Sequence, residues 1–328
     1  MKNRFLILLS FVLIVGRDVV CANTSMVRER ININRDWRYQ IDDPDGVGAA
    51  LHYSRLKPYL LPCANDFIIF GKRYQRPEGN PGENIAYVKS DFDDSEWRHL
   101  NLPHDWAIEG PFNIDYNGST GKLPYWGIRW YRKTLELSQD DAGKQIYLDI
   151  DGAMSYVSVW CNGQYVGGWP YGYASFRLDL TPYIKAGQKN VLAIRLDNPD
   201  DTSRWYPGSG IYRNVWLVKT SPVHVEQWGT FVRNQQVDSE IAVMEMGVNI
   251  ENHAGEDVQV KLQTSVYLQG KDGRPVGEEV TQSMTKDIAI KKDSWSSARF
   301  QFKVDKPKLW DIDTPNCYVA AVSYTHLR

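Results

Sequence analysis

The chain has 328 residues, with 38 Lys and Arg against 40 Asp and Glu, for a formal charge of −2. That length suits about two domains with real cores, and the near-neutral balance without a basic stripe argues against nucleic acid as a partner. Aromatic residues make up 12%, including 12 Trp and 19 Tyr, rings whose stacking face and polar handle suit sugar-binding and interface surfaces.

At the N-terminus, Lys2 and Arg4 precede an apolar run from Phe5 to Gly16. The run is too short to span a bilayer and has the shape of a secretory signal. Cleavage after Ala22 would make residues 1–22 a signal peptide and the mature chain secreted or periplasmic, with no membrane span. Lipid attachment through Cys21 competes with this reading, but Val20 stands where such signals carry a small residue. Cys63, Cys161 and Cys317 lie far apart with no Cys-x-x-Cys spacing. They read as buried thiols; no metal site and no cofactor are expected.

After the leader, Ile31-Asn32-Ile33-Asn34 alternates as a strand does, and Trp37 reads as the aromatic anchor at its end. Asp42-Asp43-Pro44-Asp45-Gly46 is a turn. It shares only its opening with a calcium loop, because no glutamate follows at the required spacing. Residues 47–90 read as an insertion: a short helical stretch near Ala49 to Leu56, then loop. Asp93-Asp94-Ser95 is turn and cap chemistry. His104 and Asp105 are neighbours without a nucleophile signature, so a structural hydrogen bond is the expected role.

Short strands then recur: Ile128 to Arg132, Gln145 to Asp151, Tyr156 to Cys161, Gln164 to Gly168, Ala174 to Leu180 and Asn190 to Leu196. Asn162-Gly163 between two of them is a hairpin signal, and Trp169, Tyr171 and Tyr173 decorate the next connection. Many short strands with almost no helix imply an all-β sandwich or jelly roll. In Ser203 to Leu217, Pro207, Gly208 and Gly210 force a tight loop beside Arg204, Trp205 and Tyr206. A cation and two flat amphipathic rings are what sugar recognition uses, although an aromatic loop capping a core has the same composition.

At Ser221-Pro222 the texture changes and the aromatics thin out. Strands are expected over Val223 to Arg233, Ile241 to Asn249, Val258 to Leu268, Ser297 to Val304 and Cys317 to Tyr324. About seven strands in a hundred residues read as an immunoglobulin-like sandwich, here expected to lack its last strand.

Taken together, these stretches resemble the N-terminal part of a family-two glycoside hydrolase of the secreted β-galactosidase kind. The resemblance rests on Asn34-Arg35-Asp36-Trp37, Phe92-Asp93-Asp94-Ser95-Glu96-Trp97, Leu102-Pro103-His104-Asp105-Trp106, Tyr125-Trp126-Gly127-Ile128-Arg129-Trp130-Tyr131-Arg132, Val159-Trp160-Cys161-Asn162-Gly163 and Arg204 to Arg213. Leu309-Trp310 and Pro315 to Tyr318 extend it towards the end of the chain. It implies a galactose-binding-like jelly roll at 29–220 and an immunoglobulin-like sandwich at 222–328. A catalytic (β/α)₈ barrel, carrying two glutamates for retaining hydrolysis, would follow them. Nothing here alternates strand and helix as a barrel must, so no catalytic residue is assigned and the sequence reads as a fragment, expected to be inactive alone. The resemblance also implies a carbohydrate partner, touched by Asn117 and by Asp197, Asn198, Arg204, Trp205 and Tyr206. Asp197-Asn198-Pro199 is equally a plain turn at a strand end. A freestanding carbohydrate-binding protein, or an adhesion module using an open sheet edge, remains the alternative.

Overall fold

The computed structural model describes residues 28–68, 72–200 and 203–327; the leader and Cys21 lie outside them. Among the described residues, the first domain is built from ten strands. They are β1 (Arg28–Asn32), β2 (Trp37–Ile41), β3 (Arg98–Leu100), β4 (Gly127–Glu136), β5 (Gln145–Ile150), β6 (Val157–Cys161), β7 (Gln164–Trp169), β8 (Phe176–Asp179), β9 (Lys189–Asn198) and β10 (Val215–Thr220). They form two antiparallel sheets, one ordered β1-β10-β5-β8 and the other β3-β2-β4-β9-β6-β7. The architecture is the all-β sandwich that strand spacing implies.

Local chemistry explains the joints. Asn162 and Gly163 have φ of 52° and 80°, the paired left-handed residues of a type I′ turn whose twist matches the strands it joins. Asp36 has φ of 58° and its N–H donates to the Asn101 side chain at 3.0 Å. That turn ends β1's extension early, so Trp37 opens β2 instead of closing the preceding strand. Asp93 does cap its turn, accepting from the Ser95 N–H at 3.0 Å.

Between the two sheets lies a core that includes Trp37, Tyr131, Leu148, Ile150, Val159 and Ile194. A second apolar layer covers the outer face of the larger sheet, where Leu51, Leu56, Leu60 and Val88 pack on Trp130, Trp160 and Tyr165. The insertion is therefore a third layer more than a loop. Its helix α1 (Tyr53–Leu60) starts later than the expected stretch, after a 3₁₀ turn at Gly48–Leu51. Arg132 and Arg195 project from the sheet into this layer and are almost fully buried. Arg195 makes a two-pronged pair with Asp43 at 2.8 and 2.7 Å, and Arg132 Nε donates to Asp94 at 2.7 Å. Buried charges persist when paired and hydrogen-bonded in this way.

The second domain carries β11 (Val223–Val237), β12 (Ile241–Asn252), β13 (Val258–Gln269), β14 (Pro275–Val276), β15 (Met284–Ile290), β16 (Ser294–Asp305) and β17 (Tyr318–Leu327). One sheet runs β11-β12-β16; in the other, β13 pairs with β14 and β15 on one side and with β17 on the other. Seven strands in two antiparallel sheets make the expected sandwich, with Val248, Ile250, Leu262 and Phe300 in its core. β15 was not anticipated, because Met-Thr-Lys-Asp-Ile-Ala-Ile is polar until its end. Cysteine burial also departs from expectation. Cys161 is buried, and burial pushes its thiol up to about 12, whereas Cys63 is half-buried and Cys317 is exposed on the loop before β17.

Candidate functional site

Three connections meet at one end of the first sandwich: residues 151–156 between β5 and β6, 170–175 between β7 and β8, and the described residues 203–214 of the connection between β9 and β10. They enclose a cleft of about 340 Å³. Its walls include Tyr156, Tyr171, Tyr173 and Trp205, with Met154 and Ser155 beneath. Tyr171 is 60% exposed, Trp205 59% and Tyr173 44%, so ring surface faces solvent where most described aromatic residues of this domain are buried or half-buried.

The rings are fixed by hydrogen bonds. Trp205 Nε1–H donates to the Tyr173 hydroxyl at 3.1 Å, and that hydroxyl donates to the Pro207 carbonyl at 2.9 Å. Tyr212 donates to the Gly172 carbonyl at 2.8 Å, holding the Tyr171–Tyr173 loop down. Tyr171 meets Tyr173 edge to face, 5.7 Å between centroids. Met154 and Gly210 exchange backbone hydrogen bonds of 2.9 and 3.1 Å, which locks the first connection to the third. Gly210 fits because its φ is 78° and a Cβ there would lie 2.4 Å from the His104 carbonyl oxygen.

The six residues proposed from sequence divide. Trp205 lines the cleft. Arg204 is exposed beside it and makes no side-chain hydrogen bond or ion pair among the described residues. Tyr206 turns inward: its hydroxyl donates to Asp105 Oδ2 at 2.6 Å, and burial together with that carboxylate pushes its pKa up. Asn198 is 1% exposed and works as a bolt. Its amide donates to the Tyr125 and Gly208 carbonyls at 2.8 and 3.1 Å, and its oxygen accepts from Ser155 at 3.2 Å. Asp197 pairs with Arg195 at 3.3 Å. Asn117 is exposed and caps a 3₁₀ turn, accepting from the Ser119 N–H and hydroxyl at 3.0 and 2.8 Å. Neither Asp197 nor Asn117 lines the cleft.

Tyr171, Tyr173 and Tyr156 are the lining rings that sequence reasoning did not assign to a site. The aromatic decoration after β7 was the available signal; its meeting with Trp205 depends on three loops distant in sequence. His104 is structural: buried, with its nitrogens 2.8 Å from the Tyr131 hydroxyl and 3.3 Å from Glu109. Burial lowers its pKa despite Glu109.

A second cleft of about 410 Å³ lies where the two domains meet, lined in part by Phe67, Arg177, Glu226, Trp228, Glu251 and His253. Its charges already answer one another. Arg177 grips Asp149 at 2.6 and 2.8 Å, Glu226 accepts from Asn249 at 2.9 Å, and Glu251 lies 3.3 and 3.4 Å from His224 and His253. Such a site reads as a joint. Among the described residues there is no cluster of three or more His, Cys, Asp or Glu arranged to hold a metal, and no helix long and apolar enough to cross a membrane.

Comparison with known proteins identifies the two sandwiches. The profile of glycosyl hydrolases family 2, sugar binding domain, matches residues 86–221, and that of glycosyl hydrolases family 2 matches residues 223–326. The chain belongs to glycoside hydrolase family two. A β-galactosidase of Bacteroides ovatus is 40% identical over 303 residues, covering 91% of this chain and 30% of the relative. A β-glucuronidase of Formosa agariphila is 26% identical over 250 residues, covering 69% of this chain and 25% of the relative. Among solved structures, a family-two member from Bacteroides cellulosilyticus superposes with a TM-score of 0.71 at 26% identity, covering 90% of this chain and 33% of that one. The chain thus spans about a third or less of the length of these family-two relatives.

Proposed function

We propose that this chain is the N-terminal, saccharide-facing part of a secreted retaining glycosidase acting on β-galactosides. The hydrolysis itself would be performed by two glutamates of a barrel carried elsewhere in the full-length enzyme. The observation that carries this reading is the pinned aromatic cleft at Trp205, standing at the end of a domain matched by a family-two sugar-binding profile. Exposed rings held in place present a platform for the apolar face of a pyranose, and the flanking Arg204 can donate to hydroxyl or ring oxygens. Asn117, Asp197 and Asn198 then act by shaping the loops, more than by touching sugar. Galactose as the cleaved unit is supported by the 40% identity to a β-galactosidase.

Two measurements test this. The 328-residue chain should bind β-galactosides yet give no turnover of a chromogenic β-galactoside, because it supplies neither proton donor nor nucleophile; turnover by the pure chain contradicts the reading. In the full-length enzyme, Trp205→Ala or Arg204→Ala should lower kcat/KM about ten-fold through KM, the signature of lost binding. Unchanged constants in both variants would remove the rim from substrate recognition.

A further inference from the structure

Trp228 is placed as no other strand residue of the second domain is. β11 pairs with β12 at Val225 and Ile250 and resumes at Thr230 and Val248, so Glu226, Gln227, Trp228 and Gly229 stand opposite Asn249 alone. Bulges re-aim the side chains they carry. Trp228 has φ of 53° and is 63% exposed, and it belongs to none of the three apolar clusters. Left-handed backbone is uncommon for so bulky a residue and persists where surrounding contacts fix it. Here the Asn249 amide donates to Glu226 at 2.9 Å, and the turn is so tight that a Cβ on Gly229 would lie 2.7 Å from the Glu226 Cβ. The fold thus holds an indole out into water, at a cost in backbone strain and with no return in core packing.

What the indole faces is a groove. The cleft of about 410 Å³ at the domain joint adjoins a second of about 340 Å³, and the two share Phe176, Arg177, Gln227 and Trp228 as lining. Their floor is the outer face of the sheet β1-β10-β5-β8, four strands that span about 14 Å at ordinary spacing. On β8, Phe176 and Leu178 are buried while Arg177 and Asp179 alternate with them, and Asp149 and Tyr147 stand opposite these two on β5. The polar groups of the floor are planar and fixed. Arg177 forks onto Asp149 at 2.6 and 2.8 Å with its guanidinium 4.7 Å from the centre of the Tyr147 ring. Arg30 lies 3.5 Å from Asp151 and 3.8 Å from the centre of the Trp216 ring, whose N–H donates to Asp151 at 2.9 Å. A guanidinium has five N–H groups and a carboxylate about four acceptor positions, so each pair keeps donors and acceptors to spare. Phe67, 55% exposed, meets Trp228 with centroids 6.3 Å apart. His224, Glu251 and His253 close the joint without the indole, whose N–H makes no hydrogen bond among the described residues.

We propose that this groove is a second carbohydrate-binding site, which takes several consecutive units of a β-linked oligosaccharide. One pyranose lies on the Trp228 ring, and neighbouring units reach the Arg and Asp pairs of the sheet with their hydroxyls. A ring face and fixed groups that both donate and accept are what a chain of hydroxyls on apolar C–H faces needs, and groups already ordered lose little freedom on binding. The groove shares no lining residue with the Trp205 cleft. It would hold a glycan to the enzyme independently of the sugar presented for cleavage. From the saccharide-facing reading above the inference takes only the kind of sugar; the place stands on its own geometry.

The test is a calorimetric titration of the 328-residue chain with β-1,4-galactotetraose and with methyl β-galactoside, on the wild type, Trp205→Ala, Trp228→Gly and the double variant. Glycine adopts a φ of 53° without strain, so Trp228→Gly removes the ring and keeps the bulge; melting curves check that every variant folds. Trp205→Ala should still bind the tetraose saturably, and adding Trp228→Gly should weaken that binding about ten-fold or more. Methyl β-galactoside, which meets only part of the groove, should bind Trp205→Ala about ten-fold more weakly than the tetraose does. Tetraose binding by the wild type that Trp205→Ala abolishes overturns the groove and leaves the Trp205 rim standing. Binding by Trp205→Ala that Trp228→Gly does not change overturns the groove as its place. Equal affinity of Trp205→Ala for the two sugars overturns a site for several units. A single wild-type site lost in Trp228→Gly and intact in Trp205→Ala upholds the groove and overturns the rim. Failure of both sugars to bind the folded wild type overturns the two together.

Discussion

Asp197 and Asn198 end the same strand, and their surroundings separate their roles. Asp197 pairs with Arg195 at the edge of the outer layer, whereas Asn198 ties Tyr125, Ser155 and Gly208 into one network beneath the cleft. Residue type marks both as candidate sugar contacts; only the partners tell them apart. Gly210 makes the loop's sensitivity measurable. Alanine there would meet both a left-handed φ of 78° and a backbone oxygen at 2.4 Å, so Gly210→Ala should cost about 1–3 kcal/mol or more of unfolding free energy. Chemical denaturation should show a lower midpoint with an unchanged slope, and a midpoint equal to wild type would contradict the account of this loop. Trp205 was legible because prolines and glycines frame it in one short segment. Tyr171 and Tyr173 were visible as aromatics but not as a site, since their meeting with Trp205 is set by three loops and no short-range pattern encodes it.

Among the elements, strands with period-two alternation or a strong turn were readable, and the Asn162-Gly163 hairpin is the clearest case. β15 was not, because its outward face is polar and only Ile290 is deeply buried. The layer over the larger sheet was hidden for another reason: it is fastened by pairs far apart in sequence, Asp43 with Arg195 and Asp94 with Arg132. The Asp43 carboxylate also accepts the Trp130 indole N–H at 2.8 Å. Asp43→Ala should therefore leave the Trp130 indole without its acceptor and the buried Arg195 guanidinium with only Asp197 and the Leu51 carbonyl, lowering stability by about 2–3 kcal/mol. Thermal unfolding monitored by tryptophan emission checks this; an effect under about 1 kcal/mol would mean that the layer is held by its apolar packing alone.

The two sandwiches join through polar chemistry. His224 of β11 is buried, with Nε2 3.4 Å from the Tyr147 hydroxyl of the first domain and 3.3 Å from Glu251, which is also 3.4 Å from His253. Burial pushes the Glu251 carboxyl up, but hydrogen bonds from the two histidines outweigh it and hold it at about 2. Its hydrogen bond to Glu251 in turn raises His253 above its ordinary 6.5, against desolvation. A raised histidine adds stability that is complete below about 6.5 and fades as pH climbs through its folded value; a lowered glutamate adds stability that is complete above about 4.5 and fades as pH falls towards about 2. Both contributions coexist between about 4.5 and 6.5. The melting temperature should be higher near pH 6 than near pH 8.5, and His253→Gln should shrink that difference; equal pH profiles for the two proteins would count against the joint.

At the same scale, strand count, the change of texture at Ser221-Pro222 and the order of short motifs made the pair of sandwiches and their family legible from sequence, while the cleft proposed to meet sugar needed the assembled loops. A crystal of the chain soaked with a β-galactosyl oligosaccharide examines that place directly. A pyranose ring stacked on Trp205 and Tyr171 is the expected result. An oligosaccharide ordered at another surface, with the Trp205 cleft holding only solvent, would contradict it.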